Sequence, residues 1–198
     1  MLLETDDSQL VLVDYQARLM PVIHGAAEVL ANAQRLAQAA RRMQLPVFAT
    51  EQNPLRLGES EPALRVLCDR VLAKMHFSAV ADGLVPWLRP PARAASGNAR
   101  SLPKHLQKPA PEARQSLVLA GCEAHVCLLQ TALELIDEEF EVWVVTDACG
   151  SRTERNRDAA FDRLAAAGAE LVTTEMVLFE WLRSADHPAF RDMLPLIK

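Results

Sequence analysis

At 198 residues, half of them hydrophobic and 24% charged, the chain has ordinary globular composition and can bury a core without metal or disulfide staples. A net charge of −5, with no basic run and no interleaved aromatics, argues against nucleic acid or an anionic membrane as the main partner. No run of 18 apolar residues is present to span a membrane, and MLLETDDSQL lacks the cationic region and long apolar core of a secretory leader, so a cytoplasmic location with four free thiols is expected.

In chain order, QLVLVDYQ (9–16) is an apolar run that reads as a buried strand. Residues 25–44 place Val29, Ala33, Leu36, Ala37, Ala40 and Met43 on one helical stripe. PVFATEQ (46–52) predicts a second strand, 63–69 a short helix, RVLAKMHFS (70–78) a third strand and 82–89 the start of a helix. Residues 90–115, rich in Pro, Ala and basic residues, show no sustained period and read as a loop insertion. QSLVLAGC (115–122) resumes the pattern as a strand, followed by a helix over 124–139 and a strand over 141–149. A helix over 153–167 closes at Gly168, a strand covers 169–174 and a helix 175–185. The tail sets Phe190, Met193, Leu194 and Ile197 at the spacing of a packed terminal helix.

Six apolar strands alternating with helices predict an α/β fold. Right-handed crossovers make it a three-layer, doubly wound, Rossmann-like sheet of mainly parallel strands, one domain spanning 1–198. Such sheets bind ligands at the carboxyl ends of their strands. Those ends carry Asp14, Tyr15 and Gln16; then Thr50, Glu51, Gln52 and Asn53; then Lys74, with His76 two residues on; then Gly121 and Cys122; then Asp147, Ala148 and Cys149. One rim therefore holds an acid, a cation and a thiol.

Cys127 falls in the first turn of the helix after the fourth strand, where unpaired N–H groups and the helix dipole favour a thiolate. A nearby ammonium adds to that effect, and a carboxylate would carry the proton, which together are the parts of acyl transfer through a thioester. Position alone leaves a second reading open, because free cysteine is among the most buried residue types. Asp14 is likewise readable as a turn residue, and Lys74 as a residue on an exposed edge strand, although an unpaired lysine inside an apolar strand is costly. Cys122 reads as buried floor and Cys68 as core. His125 lies two residues from Cys127 and points to another side of the helix, which argues against a Cys–His pair. His76 reads as structural or pocket-lining, and Glu51, Glu59 and Glu61 as a solvated loop.

LVLVDYQ, TEQNP followed by LG, KMHFSA, LAGCEAHVCLLQTALEL and VVTDACGSR, in this order, resemble the isochorismatase-like cysteine hydrolases over most of the chain. The resemblance implies a triad of Asp14, Lys74 and Cys127, with Cys127 as nucleophile. It implies a cis Cys122–Glu123 peptide bond and an oxyanion site formed by the amides of Glu123 and Cys127. It also implies a homo-oligomer. Tyr15, Gln16, Gln52, Phe77 and Glu123 are the expected pocket residues for a small-molecule substrate.

Two departures narrow this expectation. The loop TEQNPLRLGESEP holds no histidine, so the metal site of nicotinamidase-type members is not expected. Members that cleave a vinyl ether lack the cysteine that this chain has. The resulting expectation is a cofactor-free hydrolase of a small amide or related C–N bond. Two other readings are a non-catalytic binding protein that keeps the fold, and a redox-sensing thiol. The latter needs Cys122 and Cys127 with Cα atoms within about 7 Å.

Overall fold

The computed structural model describes residues 2–90 and 113–197, so most of the predicted loop at 90–115 lies outside the described residues. Six strands form one sheet: β1 (Ser8–Val13), β2 (Val47–Gln52), β3 (Arg70–Lys74), β4 (Ser116–Gly121), β5 (Glu141–Val145) and β6 (Glu170–Val172). Their order is β3-β2-β1-β4-β5-β6 and every pair is parallel. All residues of β1, β2 and β4 are buried, as strands covered on both faces must be.

The connecting helices form the outer layers. Helix α1 (Ala26–Arg42) packs with α7 (Thr174–Leu182) and α8 (Phe190–Ile197). On the other side, α5 (Leu129–Asp137) packs with α6 (Glu154–Ala166). Three short helices, α2 (Pro54–Leu57), α3 (Pro62–Arg65) and α4 (Val85–Leu88), lie in the connections around β3. The expected stripe of α1 is buried at Val29, Ala33, Leu36, Ala37 and Ala40. None of the helices among the described residues is long and apolar enough to cross a membrane.

The strand order reverses direction between β1 and β4, which opens a crevice at their carboxyl ends. Gly121 closes β4 there, and a Cβ at that position would lie 2.6 Å from Val13 Cβ and 2.7 Å from Val13 O. Only glycine lets the two strand ends approach this closely.

Several expected boundaries move: β5 ends at Val145 rather than 149 and β6 covers only Glu170–Val172, and two further changes shape the site. β1 stops at Val13, because Asp14 takes a left-handed conformation with φ of 56° and turns the chain out of the sheet. β3 stops at Lys74, where Asp82 Oδ2 accepts hydrogen bonds from the N–H groups of Met75 (3.0 Å) and His76 (2.9 Å) and closes a loop. A positive φ in a non-glycine residue is uncommon, and Asp is among the residues that best tolerate it.

Candidate active site

Four consecutive strand ends meet at the crevice. Asp14 follows β1, Gln52 ends β2, Lys74 ends β3 and Cys127 lies in the turn after β4. The Asp14 and Lys74 side chains are fully buried, and Lys74 Nζ lies 2.8 Å from Asp14 Oδ2. Asp14 Oδ1 accepts a 2.7 Å hydrogen bond from Thr50 Oγ1. The lysine contact is an ion pair poorly directed for hydrogen bonding, so Oδ2 keeps acceptor capacity. Lys74 Nζ also donates to Gln52 Oε1 (2.7 Å), Phe77 O (3.0 Å) and His76 O (3.4 Å).

Cys127 is 5% exposed and sits in a π-helical turn, Ala124–Leu128, that leads into α5. The amides on either side of it, Val126 and Leu128, both donate to Glu123 O, at 3.0 and 3.4 Å. Single π turns concentrate at functional sites, where the widened turn re-aims a side chain.

Asp14 and Lys74 both act on this thiol, but the balance differs from the sequence expectation. Burial first, and then the Asp14 carboxylate, push the Cys127 thiol up to about 12, with Lys74 only partly opposing them. The helix terminus and the ammonium do not deliver a resting thiolate. The ammonium is already paired with Asp14, and little water reaches the sulfur.

The cis Cys122–Glu123 bond expected from the resemblance is not formed, since no peptide bond among the described residues is cis. With a trans bond, the strand-like pairing simply continues. Cys122 N–H donates to Val13 O (2.9 Å), Gly150 N–H to Gly121 O (3.0 Å) and Ala124 N–H to Gly150 O (2.8 Å). The Glu123 carboxylate is held by Arg152 Nε at 2.6 Å and faces His125 Nδ1 at 3.3 Å.

The expected pocket residues divide into two groups. Gln52 reaches the thiol, with its Oε1 3.9 Å from Cys127 Sγ, and Phe77 stands half-exposed beside Lys74. Tyr15 and Gln16 instead lie in the core, because the turn at Asp14 points both of them inward. Tyr15 donates to Ala148 O, and burial pushes its hydroxyl pKa well above the usual value. Gln16 donates to Gln52 O (3.0 Å) and Gly58 O (2.6 Å) and accepts from Gln52 N–H (2.8 Å), so its carboxamide is used by the protein itself.

Other assignments fall as follows. Cys122 is buried with Sγ 3.7 Å from Met20 Sδ, and all four cysteines are free thiols. His125 bonds Ser151 Oγ (3.0 Å) and Asn156 Nδ2 (3.3 Å) rather than Cys127. His76 pairs with Asp82 at 3.2 Å. Glu51, expected in a solvated loop, is buried and accepts from Ser60 N–H (2.8 Å) and Arg65 Nε (3.3 Å). No cluster of three or more His, Cys, Asp and Glu side chains with metal-binding geometry occurs among the described residues.

Sequence reasoning placed Thr50 at a strand end without a role; it orients Asp14 and shares a strand face with Gln52. The two-residue alternation of β2 was the available signal. Sequence reasoning missed Thr131 and Glu134 of α5, which accept from Ala79 N–H (3.0 Å) and Ser78 Oγ (2.5 Å) and tie the Lys74 loop to the Cys127 helix.

Comparison with known proteins gives a consistent picture. Residues 8–176 match the family model described as the isochorismatase domain. Isochorismatase domain-containing protein 2 of Xenopus laevis is 35% identical over 190 residues, covering 96% of this chain and 83% of that protein. The solved structure of MAR1 ribonuclease from Caenorhabditis elegans is similar with a TM-score of 0.83 and 29% identity, covering 100% of this chain and 92% of that one. YcaC from Pseudomonas aeruginosa, solved with hexane-2,5-diol and covalent acrylamide, gives a TM-score of 0.81 and 26% identity over 98% of this chain and 91% of its own.

Proposed function

The chain belongs to the isochorismatase-domain family of hydrolases, and on that premise we propose that it is a cofactor-free cysteine hydrolase cleaving a small neutral amide or related C–N bond. The observation that carries this reading is the buried Asp14–Lys74 pair, 2.8 Å apart, acting on the buried Cys127. The covalent acrylamide on YcaC supports it, because acrylamide is an electrophile that thiolates attack. The two buried charges cancel, which suits a neutral substrate better than an anionic one. A net charge of −5 weighs against RNA as the substrate here.

In this reading Asp14 Oδ2 takes the proton from Cys127 as the sulfur attacks the substrate carbonyl carbon. With the thiol lifted to about 12, transfer and attack are concerted rather than separated by a stable thiolate. The amides of Glu123 and Cys127 receive the developing oxyanion. Asp14 returns the proton to the leaving nitrogen, the C–N bond breaks and a thioester remains. Water, losing a proton to Asp14, then attacks the thioester, and the sulfur leaves to regain that proton. Phe77 forms the lip of the substrate pocket.

The test is an amide screen reading ammonia release, run with wild type and Cys127→Ala. Loss of turnover with an unchanged melting curve is expected, and an undiminished rate in the variant would falsify the mechanism. The raised thiol favours one other reading, a binding protein that keeps the fold without turnover. That reading predicts no acyl adduct on Cys127 by intact-mass measurement under any substrate.

Self-association belongs to the same proposal. The edge position of β3, unpaired on its outer side among the described residues, and the exposed Leu55, Val66 and Met75 favour it, and light scattering should give a mass that is a multiple of 21.9 kDa.

A further inference from the structure

Gln52 is the third group at the thiol. It is 9% exposed, and both ends of its carboxamide are engaged within the protein. Its Nε2 donates to Met75 O at 2.9 Å. Its Oε1 accepts from Lys74 Nζ at 2.7 Å and stands 3.9 Å from Cys127 Sγ, which donates to it. The orientation of the amide is fixed by its partners, since an ammonium can only donate and a carbonyl can only accept.

Both lone pairs of Oε1 are taken by groups of the site itself, and Nε2 spends one hydrogen on Met75 O, so the carbonyl end is not offered to a substrate. One oxygen atom touches both the ammonium and the thiol. A carbonyl oxygen accepts an S–H hydrogen but repels S⁻, so Gln52 favours the protonated sulfur. It also occupies one of the three Lys74 protons, which is then not directed at the sulfur.

We propose that Gln52 is a positioning residue that holds Cys127 as a thiol and Lys74 turned away from it until the S–H swings to Asp14. The step is a transfer within the site: the S–H bond breaks, an O–H bond forms on Asp14 Oδ2, and no further reactant is involved. The proposal rests on the reading of Cys127 as nucleophile. The charged groups acting on the thiol are Asp14 after β1 and Lys74 on β3. On its own turn, Glu123 is held by Arg152, and His125 by Ser151 and Asn156.

The experiment is peptide-resolved iodoacetamide labelling of Cys127 from pH 6 to 11 in wild type, Gln52→Met and Gln52→Glu, with melting curves to establish folding. Gln52→Met removes the oxygen and keeps the length. Its labelling should be roughly tenfold faster than wild type at each pH on the rising limb, pH 8 included. Gln52→Glu strengthens the hold on Lys74 and adds a negative charge beside the sulfur, so its labelling should be slower than wild type. Steady-state hydrolysis of p-nitrophenyl acetate by Gln52→Met should keep KM within about threefold of wild type, because Gln52 does not bind the substrate.

Labelling curves that superimpose on wild type, or that move the same way in both variants, overturn the proposal. So does a raised KM with unchanged labelling, the signature of a substrate ligand. If Gln52→Met does not fold, Gln52→Glu decides alone: slower labelling supports the proposal, and equal or faster labelling overturns it. Cys127→Ala separates this from the parent reading. Ester hydrolysis that survives in that variant removes Cys127 as nucleophile, whereas the labelling shifts test Gln52 without any substrate.

Discussion

Cys127 holds its proton more firmly than its place at a helix start suggests. The sequence placed Asp14, Lys74 and Cys127 on one rim, because a charged residue at the end of an apolar strand is conspicuous. It could not show which neighbour would dominate, since that depends on burial and on which charges already pair. With the thiol at about 12, alkylation of Cys127 should still climb tenfold per pH unit above pH 9, with no plateau near the ordinary thiol value; a plateau below pH 8 would contradict the desolvated site. The Asp14–Lys74 pair sets a second expectation. Lys74→Met strands a buried carboxylate, and thermal or urea unfolding should register a loss of about 3–5 kcal/mol. Tyr15 and Gln16 follow the left-handed turn at Asp14 and spend their polar groups on Ala148, Gln52 and Gly58, contacts that a strand-end reading does not reveal.

The elements explain why these residues meet. β2 sends Thr50 and Gln52 to the site from one face, while Glu51, from the other, holds Ser60 and Arg65. The apolar runs made all six strands legible, and the helical stripe made α1 legible, because burial on two faces or one leaves a plain periodic trace. The π turn at 124–128 left no such trace, since inserting one residue into a helix start hardly alters a short hydrophobic pattern. The trans bond at Cys122–Glu123 was equally hidden, because the sequence cannot reveal the pairing of Cys122 with Gly150. Gly121 is the tightest point of this arrangement. Gly121→Ala should separate the ends of β1 and β4 and destabilise the fold by about 1–3 kcal/mol or more. The same change should slow hydrolysis, because it moves Asp14 relative to Cys127; a variant with wild-type melting and activity would show that the strand ends tolerate a methyl group.

Across the whole molecule the thiols couple stability to alkaline pH. Burial lifts Cys127 and Cys149 to about 12 and Cys68 to about 11, from an ordinary value of 9.0. Above pH 9 the unfolded chain binds fewer protons at these sites than the folded one. The stabilisation is therefore complete below about pH 9 and is lost as pH rises toward 11 and 12. Melting temperatures measured from pH 8 to 11 should fall, and Cys149→Ala and Cys68→Ala should flatten the decline. The sheet order carries a different consequence. Strands β1 to β3 and β4 to β6 each form a continuous half, and among the described residues β1 against β4 is the one strand pairing between them. The first half carries Asp14, Gln52 and Lys74, and the second carries Cys127. In two separately expressed fragments, 1–90 and 113–198, Cys127 would lose its burial and label as an ordinary thiol. Mixed together, they would slow that labelling only as that seam zips, which makes the protection of one sulfur a readout of reassembly.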